Sequence, residues 1–164
     1  MLPSGTLKYI LTDIMIWCIY SMKVPENIRE AFSKALKYRR AVVGTASKGG
    51  IPNAVPIGVG RFIDGETLCL VDNYFLKTRK NLEENPYAVV TFWVSEEKEG
   101  KIVTNEGYQL KGRVEIQTSG ELYEKIKAET KAIRADFPVK AIALLRVDEI
   151  YDVKAGPTAG RRII

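Results

Sequence analysis

The sequence predicts an α+β domain in which five or six antiparallel strands form a β-barrel flanked by helices. Three observations carry this reading. Apolar runs of strand length are separated by hairpin turn signals at Ser47-Lys48-Gly49-Gly50 and Asp64-Gly65. A clean two-residue alternation runs from Tyr108 to Ile116, and helix-period apolar stripes lie near both ends of the domain. With 164 residues, 46% hydrophobic and 27% charged, the chain can bury one real core, and it holds no repeat or low-complexity segment.

The first 22 residues stand apart. Leu7 to Tyr20 is apolar but interrupted by Lys8 and Asp13, too short to span a membrane, and it lacks the small-residue cleavage site of a signal peptide. Residues 1–22 therefore read as an extension, either packing as an extra helix or reflecting an upstream start, with the domain proper at 23–155 and a loop-like tail at 156–164. Val24-Pro25-Glu26 opens an amphipathic helix with Ile28, Ala31, Phe32, Ala35 and Leu36 on one face.

Strands then follow. Ala41 to Ala46 and the long run Pro52 to Ile63 make a hairpin, Leu68 to Asp72 a third strand and Tyr87 to Val94 a fourth, with Glu96 to Lys101 a charged loop. Tyr108, Leu110, Gly112, Val114 and Ile116 share one face of a half-buried strand, opposite Gln109, Lys111, Arg113 and Glu115. Ser119 is placed to cap a second long helix, with Leu122, Ile126, Ile133 and Phe137 along its stripe as far as Pro138; Ala141 to Val153 returns as a strand.

Composition removes several chemistries. The chain has no histidine, which excludes a Ser-His-Asp triad, a histidine base and histidine-ligated zinc. Cys18 and Cys69 are far apart in apolar settings and read as core thiols in a reducing cytoplasm. There is no Walker loop, and Gly58-Val59-Gly60 lacks the third glycine and following helix of a dinucleotide fingerprint. A net charge of +5 favours anionic partners without choosing among nucleic acid, lipid and phosphorylated small molecules.

Two stretches point to a ligand. Leu76 to Pro86 follows one strand and precedes another, so Lys77, Thr78 and Arg79 fall at a helix N-terminus, where unpaired N–H groups and the helix dipole favour an anion. Taken alone, such a basic run is more often just the solvated face of a short helix. In the strand from Ala54 to Ile63, Pro56, Gly58 and Gly60 share one side, leaving a nearly bare shelf of backbone on which a planar ring fits; the other reading of these glycines is a bulge or barrel corner.

In order along the chain, Thr45-Ala-Ser-Lys-Gly-Gly-Ile-Pro-Asn53, Val55-Pro-Ile-Gly-Val-Gly-Arg61, Val71-Asp-Asn73, Lys77-Thr-Arg-Lys-Asn-Leu-Glu-Glu-Asn-Pro86 and Tyr108-Gln-Leu-Lys-Gly112 resemble the pyridoxamine 5′-phosphate oxidase-like, FMN-binding split-barrel family over roughly residues 25 to 155. The resemblance implies a six-stranded split barrel with flanking helices and FMN as cofactor. It further implies that the strand holding Val55, Pro56, Ile57 and Gly58 runs beneath the flavin ring, with Arg61 a basic residue nearby. By the same resemblance Val71, Asp72 and Asn73 lie along the flavin, and Lys77 and Thr78 hold its phosphate, with Asn81 of the same run among the cofactor-binding residues. The resemblance also implies a homodimer in which the strand carrying Gln109 reaches the flavin across the interface.

The family's oxidases grip the substrate phosphate with a C-terminal arginine and histidine, whereas this chain ends in Gly156-Pro-Thr-Ala-Gly-Arg-Arg162 and has no histidine. Vitamin B6 chemistry is therefore not expected. The reading is an FMN-binding flavoprotein of the cytoplasm, a flavin-dependent oxidoreductase with its small-molecule partner open. Its alternative is a non-enzymatic FMN-binding electron carrier. A basic barrel binding single-stranded nucleic acid is a third reading, disfavoured because Phe62, Phe92, Trp93 and Tyr108 alternate like core residues and do not interleave with lysines.

Overall fold

A computed structural model describes residues 23–164; the expected extension at 1–22, with Cys18, lies outside the described residues. The elements in order are α1 (Glu26–Lys37), β1 (Ala41–Ala46), β2 (Pro52–Pro56), β3 (Gly60–Phe62), β4 (Thr67–Asp72), α2 (Lys77–Glu84), β5 (Tyr87–Lys98), β6 (Lys101–Gln117), α3 (Glu121–Ile133) and β7 (Ala141–Asp152). The strands form one antiparallel sheet in the order β2-β1-β5-β6-β7-β4-β3. Among the described residues no helix is long and apolar enough to cross a membrane.

The sheet has seven strands where six were expected, because the run from Pro52 to Ile63 is broken at Ile57–Val59. Its first half pairs with β1 at one edge of the sheet and its second half with β4 at the other. Pro56 and Gly60 are separated by at most about 14 Å of extended chain, so the sheet must curl until its edges nearly meet. The crossing is tied at both ends: Ile57 N–H donates to Ala41 O at 3.0 Å, and Val71 N–H donates to Val59 O at 3.1 Å.

Helix α1 fills the inside of the curl. Its apolar stripe buries Ile28, Ala31, Phe32 and Ala35 against Val43, Leu68, Leu70, Val90, Phe92, Leu110, Leu145 and Ile150. Phe32 meets Phe92 edge-on at 5.2 Å and Phe62 at 5.9 Å, arrangements favoured by the ring quadrupoles. Helix α3 covers the outer side of β4 and β7 through Tyr123 and Ile126, which pack with Cys69, Val71, Val139 and Ile142. With a helix on each face, β4 is buried almost throughout, which is why its sequence is a continuous apolar run.

Three boundaries differ from expectation for local reasons. The charged segment from Glu96 to Lys101 is mostly strand: Ser95–Lys98 pairs with Thr104–Lys101 around Glu99 (φ +52°) and Gly100 (φ +74°), a tight hairpin whose exposure accounts for its charge. Gly120, not Ser119, is the N-cap of α3, without a side-chain cap. The same helix ends at Ile133, which is 90% exposed instead of lying on the buried stripe.

The alternation in β6 holds through Leu110, Gly112 and Val114, all buried, and Gly112 marks a bulge opposite β7, where Gly112 pairs with Val147 and Lys111 with Glu149. A Cβ on Gly112 would stand 1.8 Å from the carbonyl oxygen of Arg146, whereas one on Gly44 would meet the Val89 side chain at 2.8 Å. Backbone cannot yield as a side chain can. Gly112→Ala is therefore expected to cost more than about 3 kcal/mol and Gly44→Ala distinctly less, read from denaturant midpoints.

Candidate ligand-binding site

The crossing between β2 and β3 lines a cavity of about 650 Å³, closed on its far side by α3 and the segment that follows it. Pro56 through Arg61 form one wall, Ile126, Glu129 and Ile133 another, and Cys69, Val71 and the turn Asn73–Phe75 complete it. The two glycines of the crossing serve different purposes. A Cβ on Gly60 would come within 2.9 Å of Cys69 O and of Leu70 Cδ2, so Gly60 is required by close packing on β4. Gly58 is exposed, and a Cβ there would meet only Arg39 Nη1, at 3.7 Å. Gly58 is thus bare of neighbours apart from Arg39, while Gly60 is packed against β4, so the two glycines do not share one open side as the sequence reading has it.

The turn after β4 is built by its own side chains. Asp72, 3% exposed, accepts the Phe75 N–H at 2.9 Å and holds Arg79 through Nε at 2.7 Å and a second bond from Nη2. Asn73 Oδ1 accepts the Tyr74 N–H at 2.9 Å. These bonds fix where α2 begins, and its first-turn N–H groups have no intrahelical acceptors. Lys77 is exposed there, while Asn73 lines the cavity.

Thr78 and Asn81 turn the other way. Asn53 Nδ2 donates to Thr78 Oγ1 at 3.0 Å and to Thr45 Oγ1 at 3.3 Å, and Asn81 Nδ2 donates to Thr45 Oγ1 at 3.1 Å. Thr78 is 1% and Asn81 0% exposed, so this network pins α2 to the β1–β2 hairpin; Asn81 Oδ1 is left without a partner among the described residues. The polar residues of the basic run thus divide by helix face, Lys77 and Lys80 outward, Thr78 and Asn81 inward.

Of the other sequence candidates, Pro56, Ile57, Gly58, Arg61, Val71 and Asn73 line the cavity together. Val55 points inward, half-buried against the main core, and Asp72 is enclosed by its pair with Arg79. Gln109 lies on the outer face in the cross-strand row Pro56, Val42, Thr91, Gln109, Tyr151, three strand spacings or about 14 Å from Pro56. Sequence reasoning missed Arg39 and Glu129, which also line the cavity. Arg39 lies in an unremarkable basic run, and the stripe of α3 gives no hint of its polar flank.

Electrostatics within the cavity are largely balanced. Arg61 reaches across it to Glu129 at 2.5 Å, joining the crossing to α3. Burial pushes the Cys69 thiol up to about 11, against a smaller downward pull from Arg61 and a further push from Glu129, so the thiol stays protonated and poorly nucleophilic near neutrality. A second hollow, about 850 Å³, lies on the outer face over Gly44, Ala46, Ala54, Tyr87 and Val89.

The pyridoxamine 5′-phosphate oxidase family model matches residues 25–154. An uncharacterised protein of Methanocaldococcus jannaschii is 33% identical over 140 residues, 84% of this chain and 88% of its own length. The crystal structure of HupZ from Group A Streptococcus is 27% identical, covers 84% of this chain and 99% of its own, and superposes with a TM-score of 0.64. An FMN-binding protein from Syntrophomonas wolfei is similar in fold at 17% identity and TM-score 0.65, covering 93% of this chain and 99% of its own.

The Asp72–Arg79 pair yields a direct stability test. Arg79→Met leaves a buried carboxylate with the Phe75 N–H but no countercharge, and is expected to cost about 3 to 5 kcal/mol. Adding Asp72→Asn should restore a large part of that loss. Lys80→Met, which removes only an exposed contact to Glu84 at 4.0 Å, should stay within about 0.5 kcal/mol of wild type in the same unfolding experiment.

Proposed function

The chain belongs to the pyridoxamine 5′-phosphate oxidase family, and we propose that it is an FMN-binding flavoprotein whose isoalloxazine ring lies in the cavity against Pro56–Gly60 and whose phosphate sits at the start of α2. The observation that carries this reading is Gly58: an exposed residue without a side chain in the middle of the cavity wall, where a Cβ meets only one flexible guanidinium. A flat ring gains close contact with main chain there. The cavity volume suits a ligand of this size, and its apolar lining from Val71, Ile126 and Phe137 would keep water from the ring.

A bound flavin supplies the hydride- or electron-accepting chemistry. The chain's part is to bind and orient it. Gly58 leaves its main chain open to the polar edge of the ring, and Lys77, beside unpaired first-turn N–H groups, offers the phosphate a charged donor. Thr78 and Asn81 support this site indirectly, by holding α2 against the hairpin. Asp72 does the same by fixing the turn before the helix.

Haem, the other flat anionic cofactor for a cavity of this kind, fits these residues less well. There is no histidine to ligate iron, and the cavity's cysteine is a buried, protonated thiol. Second-copy contact is part of the proposal. The outer-face hollow has a mostly apolar floor over Gly44, Ala54 and Val89 with Lys111, Asp148 and Glu149 at its side, and Gln109 shares that face, so a symmetric dimer joined there would cover it and bring Gln109 toward the partner's ring.

The reading is of an oxidoreductase, with an electron carrier as its alternative; saturable oxidation of a reduced nicotinamide distinguishes the enzyme. The phosphate site is tested with two ligands. Lys77→Ala removes a charge-assisted contact and is expected to weaken FMN about ten- to a hundred-fold, leaving riboflavin, which has no phosphate, nearly unchanged. Fluorescence titration of both flavins reads this out. An equal loss for the two would remove the phosphate from Lys77, and failure of the wild-type protein to take up either flavin would overturn the whole reading.

A further inference from the structure

Three arginines line the cavity, and two are already neutralised: Arg61 by Glu129 at 2.5 Å and Arg134 by Asp136 at 3.3 Å. Arg39, the third, makes no ion pair among the described residues. Its place in the fold is unusual. It follows the C-terminal end of α1, where Arg39 N–H donates to Leu36 O at 3.0 Å and Arg40 N–H to Ala35 O at 2.8 Å, and its φ is +56°. That left-handed position ordinarily takes glycine or asparagine, because a Cβ there crowds the neighbouring carbonyl.

Helix-terminal charge does not explain the choice, since Lys34 and Lys37 already place cations in the last turn of α1. What the arginine gains at this position is reach: its Nη1 lies 3.7 Å from where a Cβ on Gly58 would stand, directly over the bare stretch of the crossing. An exposed guanidinium without a countercharge, at the edge of an otherwise charge-balanced apolar cavity, is a receptor for one negative group.

We infer that Arg39 binds the anionic group of the cavity's ligand: a carboxylate on a molecule that shares the cavity with the flavin or, in place of the start of α2 proposed above, the phosphate of the cofactor itself. Both sources rest on the flavin reading above; the anion-binding role of Arg39 stands on the cavity itself. The ligand class is thus a flat, largely apolar body carrying one anionic group.

Two variants test this. Arg39→Gly removes the guanidinium and relieves the left-handed backbone, so it should raise the melting temperature by about 2 to 4 °C while losing anion binding; a role confined to stability predicts the opposite. Arg39→Lys keeps charge but not the planar fork and should retain part of the binding. The probes are FMN, riboflavin and benzoate, each titrated by calorimetry, benzoate against both unloaded and flavin-loaded protein. A ten- to hundred-fold loss of FMN in Arg39→Gly with riboflavin unchanged assigns the anion to the cofactor's phosphate. Unchanged flavin binding with a comparable loss of benzoate assigns it to the second molecule. Unchanged binding of all three, or an equal loss of both flavins with benzoate unaffected or unbound by wild type, overturns the inference. If wild type takes up no flavin, the flavin reading fails while benzoate on the unloaded protein still decides the role of Arg39.

Discussion

The structure depends on one covalent constraint: β2 and β3, which edge opposite ends of the same sheet, are halves of a single run joined by Ile57, Gly58 and Val59. A sheet of this order would otherwise be free to open. Because those edges cannot separate by more than a short stretch of chain, the sheet curls, α1 is enclosed, and the crossing is left as exposed backbone that neither edge can pair with fully. The cavity is a consequence of closure. Where the ladder must be interrupted to bring the edges together, main chain becomes available, and glycine at position 58 keeps it uncovered.

Around that opening, buried polar groups act as fixings more than as ligand contacts. The Asp72–Arg79 pair and the Thr45, Asn53, Thr78 and Asn81 network set the angle and position of α2 from its two sides. Among the described residues, Arg39 over Gly58 and Lys77 at the start of the helix are cations left exposed and without an ion pair. The Arg61–Glu129 pair has another role, since it joins the crossing to α3 across the cavity and leaves Arg61 neutralised. A half-exposed pair of this kind contributes little to stability. Its effect is on the shape and net charge of the cavity.

Much of the fold was legible because periodicity reports burial. The stripe of α1 and the alternation of β6 both give their buried faces correctly, and Gly58-Val59-Gly60 stands out in the sequence itself as a stretch almost bare of side chains. What sequence could not supply was which partner each segment meets. Pro52 to Ile63 reads as one strand, since nothing in its composition says that its halves pair at opposite edges. Ile133 fits a helical stripe, yet its helix stops there and leaves it in solvent. Within the basic run, Lys77, Thr78 and Asn81 were grouped by their place in the chain, and only the packing of α2 on Asn53 and Thr45 separates the outward lysine from the inward pair.

The central claim is that the bare main chain at Gly58 is where the flat ligand lies, and filling that space tests it most directly. Gly58 carries no left-handed φ, and a side chain there meets only the mobile end of Arg39, so Gly58→Leu is compatible with the fold. The measurement is FMN affinity of Gly58→Leu by fluorescence titration, beside its thermal unfolding. The account predicts an unfolding temperature close to wild type and a loss of FMN binding of at least about a hundred-fold. Wild-type affinity for FMN in a folded Gly58→Leu protein would contradict it and place the ligand elsewhere on the molecule.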